Sequence, residues 1–166
     1  MADTSIATVP FGLLWASFPR DGRAALATAL GGSVAAALSD PSQVSSVDDS
    51  LVRLSAALRG CGHPVPATSI YSGSSGALTD AAGFAYLRDS GQAETLLEHK
   101  LGKPRRCHSE ADAAGRAGVL VFRGVKRGAH AEPVSHFDLW DGTTTADPAS
   151  SYWKEASGVA LYEIKA

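Results

Sequence analysis

Residues 48–60 read DDSLVRLSAALRG, and the fold turns on them. Leu51, Leu54 and Leu58 fall at i, i+3 and i+7, which puts them on one face of a helix. Asp48 and Asp49 stand where N-caps stand, because a carboxylate can accept the otherwise orphaned first amides. Gly60 and Gly62 stop the run, with Pro64 and Pro66 beyond. The spacing predicts a helix from about Asp49 to Arg59, with Ser50 in its first turn.

The last third of the chain changes character. Gly118–Arg123 (GVLVFR), Ser135–Trp140 (SHFDLW) and Gly158–Ile164 (GVALYEI) read as strands. Alternation along Ser135–Trp140 places His136, Asp138 and Trp140 on one face and Phe137 and Leu139 on the other. Helices first and strands last indicate an α+β domain, with helices packed on a mainly antiparallel sheet.

Outward from the 48–60 helix, residues 10–19 (PFGLLWASFP) form a short amphipathic helix between prolines, carrying Leu13, Leu14, Trp15 and Phe18. The alanine-rich stretch Arg23 to Leu38 is broken by Gly31-Gly32 into two helical pieces. Asp40 to Ser46 is a loop by composition. Two further helices are expected, Thr79–Leu87 and Ala93–Lys100. Ser72 to Gly76 is a Gly/Ser linker without the lysine of a phosphate-binding loop.

A chain of 166 residues fits one domain, spanning 1–166, with a single core. Fifteen Lys+Arg against seventeen Asp+Glu give a formal charge of −2, so no strong field steers the chain toward nucleic acid or an anionic membrane. The basic clusters Lys103–Arg106 and Arg123 to Arg127 lack interleaved aromatics and read as solvated loop charge. The first thirty residues have no basic stretch leading into an apolar run, so no classical signal peptide is expected. No segment approaches the roughly 18 apolar residues of a membrane span. Work outside the cytoplasm would need another machine for export.

Cys61 and Cys107 are too few for a disulfide scaffold. One bridge and two free thiols both remain open. Cys61-Gly62-His63 with Cys107-His108 matches no common zinc spacing, and neither a metal nor another cofactor is expected. Cys61 follows the 48–60 helix rather than opening it, so the helix amides point away from it and a nucleophilic role is disfavoured. His63, His99, His108 and His130 look solvent-facing.

His136 is different. A histidine on a strand that faces a helix start has the geometry a nucleophile–base pair needs. Alone, such a histidine is more often structural. Four segments together carry more: DDSLVRLSAALR at 48–59, the early LLWASFP, GVLVFR, and HFDLWDG at 136–142. In this order and spacing they resemble the fourth family of type VI secretion amidase effectors, NlpC-type, papain-like peptidoglycan hydrolases. The resemblance runs from about Leu14 to Ile164 and is most specific over Val52–Leu58 and HFDLWDG.

What the resemblance implies is a papain-like fold and a cysteine-type amidase. The family cuts wall stem peptides, typically between D-glutamate and meso-diaminopimelate. It puts the nucleophile at Ser50, where the family has cysteine, the general base at His136, and the carboxylate that orients it at Asp147, eleven residues later. Asp138 is the rival for that third role or, with Trp140, a residue lining the substrate cleft; Trp140 also has a reading as packing. Arg53 is either a structural residue or an organiser of the cleft. Asp48 replaces the family's asparagine and Ser135 its glycine, neither expected to remove the chemistry. Delivery by a type VI secretion apparatus into a target periplasm is implied, as is a cognate immunity protein.

Serine at position 50 is the main departure. A helix start and a neighbouring histidine favour a thiolate. The dipole adds on the order of 1 kcal/mol, far short of ionising an alcohol at neutral pH. Activity of this form is expected to be lost or very low. Three readings follow: an amidase whose cysteine has been replaced, a naturally inactive homologue that binds wall peptide or a protein partner, and a natural serine amidase using His136 as base.

Overall fold

The computed structural model describes residues 8–43, 48–72, 77–126 and 132–165. Helix α1 (Phe11–Ser17) starts at Pro10 and buries Leu14, with Phe18 buried just beyond it. Leu13 of this amphipathic helix is 59% exposed, because its neighbour Leu14 takes the inward position and one residue is a rotation of about 100°. Helices α2 (Arg23–Leu30) and α3 (Gly32–Ser39) are the two alanine-rich pieces, separated at Gly31, whose φ is 64°. Gly32 approaches the hairpin so closely that a Cβ there would lie 2.4 Å from the Thr79 carbonyl oxygen. A 3-10 turn, Pro41–Gln43, follows.

Helix α4 (Asp49–Gly60) forms where expected and is capped by Asp48, whose carboxylate accepts from the Ser50 amide at 2.8 Å. Leu51, Leu54 and Leu58 are all buried. At about 1.5–3 kcal/mol per fully buried leucine, this face dominates the docking of the helix. The short α5 (Ser69–Ser72) comes next; residues 73–76 of the Gly/Ser stretch lie outside the described residues.

Thr79–Leu87 is not a helix. It forms an antiparallel hairpin of β1 (Leu78–Thr79) and β2 (Ala85–Tyr86). The cause is Asp80, whose carboxylate accepts from the amides of Ala82 (2.9 Å) and Phe84 (3.1 Å) and so folds the backbone into a turn. Gly83 supplies the positive φ of 86°. Asp80 is buried, pairs with Arg59 of α4 and accepts from the Tyr86 hydroxyl at 3.1 Å, which ties hairpin to helix.

Helix α6 (Ser90–Leu101), capped by Asp89, agrees with the expected Ala93–Lys100. Beyond it lie β3 (Arg105–Cys107), α7 (Glu110–Ala113), β4 (Gly118–Val125), β5 (Val134–Trp140), a 3-10 turn at Pro148–Ser150 and β6 (Gly158–Glu163). The sheet order is β3-β6-β4-β5, antiparallel throughout. The expected loop at Lys103–Arg106 is therefore partly strand: β6 offers its free edge to Arg105–Cys107 while Arg105 and Arg106 keep their side chains in solvent.

The alternation read in β5 is present. Phe137 and Leu139 join Val119, Val121 and Tyr162 against α1, α4 and α6. Trp140 joins Leu120, Phe122 and Leu161 on the opposite face, covered by Tyr152 and Trp153. Cys61 and Cys107 are free and buried, and they belong to these two separate cores. Among the described residues no helix is long and apolar enough to cross a membrane.

Candidate active site

Ser50 is 2% exposed, held where the first turn of α4 meets the edge strand β5. Its hydroxyl donates to Asp48 Oδ1 at 2.7 Å and accepts from the Phe137 amide at 3.1 Å. Those two bonds fix the side chain beside the residue that precedes Phe137, which is His136.

The imidazole of His136 is buried. Tyr152 meets it edge-on with ring centroids 4.9 Å apart, and Phe122 lies behind at 6.3 Å. His136 Nε2 stands 3.8 Å from Asp138 Oδ2. Asp138 is almost wholly enclosed, and burial pushes its carboxyl above the ordinary value. The neighbouring His136 imidazole and the Leu139 amide, which donates to Oδ1 at 2.7 Å, pull it back. The Asp147 amide lies 3.4 Å from both Asp138 oxygens, and the Asp147 carboxylate caps the 3-10 turn by accepting from the Ala149 amide at 3.2 Å.

A cleft of about 130 Å³ opens over these groups, lined by Ser50, His136, Asp138 and Asp147 together with Phe18, Asp49, Arg53, Phe137 and Tyr152. Arg53 lines this cleft and donates to the Pro19 carbonyl at 2.8 Å, the bond of a structural residue. Asp49 pairs with Arg23 of α2. The structure thus gathers Ser50, His136, Asp138 and Asp147 at one place.

Trp140 does not share it. The indole is 2% exposed, donates to the Ala113 carbonyl at 2.9 Å and stacks edge-on with Trp153. A substrate-lining role for Trp140 is corrected to packing, because the ring is enclosed among Leu120, Phe122 and Leu161 and its N–H is taken by the Ala113 carbonyl. Cys61, at the C-terminal end of α4, has its thiol on the Leu58 carbonyl at 3.3 Å, and burial raises its pKa. His99 and His108 are exposed as expected, His63 is half-buried, and His130 lies outside the described residues.

Tyr152 lines the cleft without any expectation for it, and Phe18 and Asp49, expected only as a helix residue and a cap, line it as well. Tyr152 had one legible signal, an aromatic pair with Trp153 just after the proline-led turn that Asp147 opens.

A buried hydroxyl at a helix start, an imidazole and two carboxylates are groups that can carry acyl transfer. Among the described residues no three His, Cys, Asp or Glu side chains are grouped to hold an ion.

Residues 48–162 match the family model of type VI secretion system (T6SS) amidase effector protein 4, Tae4. No curated protein matches the chain. Among solved structures, Tae4 from Enterobacter cloacae superposes with a TM-score of 0.74 at 23% identity, covering 93% of this chain and 96% of that one. A chain of the Tae4/Tai4 effector–immunity system from Salmonella typhimurium gives 0.74 at 20% identity, with 93% and 97% covered. The Tae4–Tai4 complex from Enterobacter cloacae gives 0.74 at 22%, with 93% and 98% covered. The fold they share with this chain is papain-like. With more than half of its sequence inside one family model, the chain belongs to the type VI secretion amidase effector 4 family.

Proposed function

We propose that this chain is a single-domain peptidoglycan amidase of cysteine type, an endopeptidase for the D-glutamate–meso-diaminopimelate bond of wall stem peptides. The observation that supports it best is the fixing of Ser50 to the amide of Phe137, one residue from His136, in a cleft that also holds Asp138 and Asp147. With cysteine at 50, His136 takes the thiol proton and the sulfur attacks the amide carbonyl. The imidazolium then protonates the departing amine, and water, deprotonated by the same imidazole, releases the acyl group. Asp147 orients His136 in this reading, and Asp138 stabilises the imidazolium from the cleft wall.

The serine form has activity lost or very low. Its hydroxyl donates to Asp48, which also favours a second reading: an inactive amidase fold that binds wall peptide or a protein partner. As a family member the chain travels through a type VI secretion apparatus, acts in a target periplasm and is blocked by a cognate immunity protein. The test is hydrolysis of purified stem peptide by Ser50→Cys, followed by new amine. Cleavage that disappears with His136→Ala supports the amidase. No cleavage, with peptide binding unchanged from the Ser50 protein, moves the chain to the second reading.

A further inference from the structure

We propose that Asp48 is a positioning residue of this site, holding the proton of the group at position 50 and disfavouring an anion there. The inference rests on reading the cleft as a nucleophile site, and it adds a regulator of that nucleophile.

A serine hydroxyl has one proton to give. The Phe137 N–H points at Ser50 Oγ from 3.1 Å and is itself a donor, so it cannot receive that proton. Asp48 Oδ1, at 2.7 Å, can. The same oxygen accepts from the Ser50 amide at 2.8 Å, so the carboxylate cannot swing away without uncapping α4. In this arrangement the hydroxyl proton is directed to Asp48 instead of the imidazole.

The second effect is electrostatic. Among the described residues, the charged and titratable groups around positions 48 and 50 are Asp48, Asp49 and Arg53 at the start of α4, His136 and Asp138 on β5, and Arg88 and Asp89 ahead of α6, which line a second hollow with Asp48. Asp147 and Tyr152 come from the segment after β5, and Arg23, paired with Asp49, from α2. Asp48 touches the position-50 side chain directly, and a carboxylate in contact with a thiol or hydroxyl raises its affinity for a proton. Asp48 also consumes the Ser50 amide, one of the helix-start donors that would otherwise favour a thiolate.

The experiment compares Ser50→Cys with Ser50→Cys/Asp48→Asn. Asparagine keeps the cap and removes the charge; Ser50→Cys/Asp48→Ser, with a hydroxyl cap, is made in parallel in case one variant folds poorly. Iodoacetamide alkylation of the thiol introduced at position 50 is followed across pH by site-resolved mass spectrometry. The midpoint is expected to fall by at least about one unit when Asp48 loses its charge, with roughly tenfold faster alkylation at a fixed pH below it. A midpoint that stays or rises overturns the proposal. The readout needs no substrate. A protein with the shifted midpoint and no hydrolysis would sink the amidase reading alone, and an active one with an unmoved midpoint would sink this inference alone.

Discussion

Ser50→Ala removes the oxygen that receives the Phe137 amide, and its cost can be worked out from the site. That amide is buried, and the bond is 3.1 Å long. Leaving a buried backbone donor without its acceptor costs about 1–3 kcal/mol. The second bond lost, from the hydroxyl to Asp48, matters less. Asp48 is half-buried and keeps the Ser50 amide, so water can replace the missing proton. The sum is about 2 kcal/mol. For a chain of 166 residues, each kcal/mol moves Tm by about 2–4 °C, so the melting point should fall by about 4–8 °C. Equilibrium urea unfolding followed by circular dichroism measures this directly. Ser50→Cys should lie between serine and alanine, since sulfur is a weaker acceptor. Ser55→Ala is a useful yardstick: its hydroxyl bridges the Leu51 carbonyl (2.7 Å) and the Leu87 amide (2.9 Å), both buried. If the alanine variant at 50 unfolds within about 0.5 kcal/mol of the parent, far below the expected orphaned-donor cost, the Phe137 amide has another acceptor and the docking of α4 on β5 has been misread.

Two further outcomes follow from the buried titratable groups. Burial raises the Asp138 carboxyl above 3.8, so the folded protein binds the extra proton and its stability declines as pH climbs from there through the folded value. Asp138→Asn should therefore gain on the parent from acid toward neutral pH in urea titrations; an advantage that shrinks over that range would contradict the burial argument. Burial also raises the thiols of Cys61 and Cys107. Without reductant, both should alkylate slowly in native protein and fully in urea, and a mass showing no adducts after unfolding would reveal a bridge instead.

Where the sequence was informative, the signal was local and periodic. Three leucines on one face and an aspartate cap identify α4, and strict alternation over six residues orients β5, because each pattern is set by the element's own geometry. The 78–86 hairpin differs from the helix expected over Thr79–Leu87 because its three alanines favour helix only locally. The deciding interaction is a carboxylate folding back on amides two and four residues ahead, then pairing with Arg59 from another element. Strand β3 was missed because its pairing is dictated by the β6 edge rather than by Arg105-Arg106-Cys107 themselves. The same limit applied in the cleft. Ser50, His136 and Asp147 could be named from a motif and Asp138 from strand alternation, whereas the edge-on Tyr152 ring and the Phe137 amide on Ser50 depend on how separate segments pack.

A four-stranded open sheet has two margins where a stranger's backbone could add itself and seed polymerisation. On one margin, β3 is three residues long and shows two arginines to water, a poor template. On the other, β5 carries the histidine, and the start of α4 sits against it with Ser50 occupying the Phe137 amide. The groove that would do the chemistry is thus also a seal. A change that unseats the helix start would open the cleft and, in the same event, leave a self-pairing strand exposed, so loss of the site and loss of solubility should arrive together.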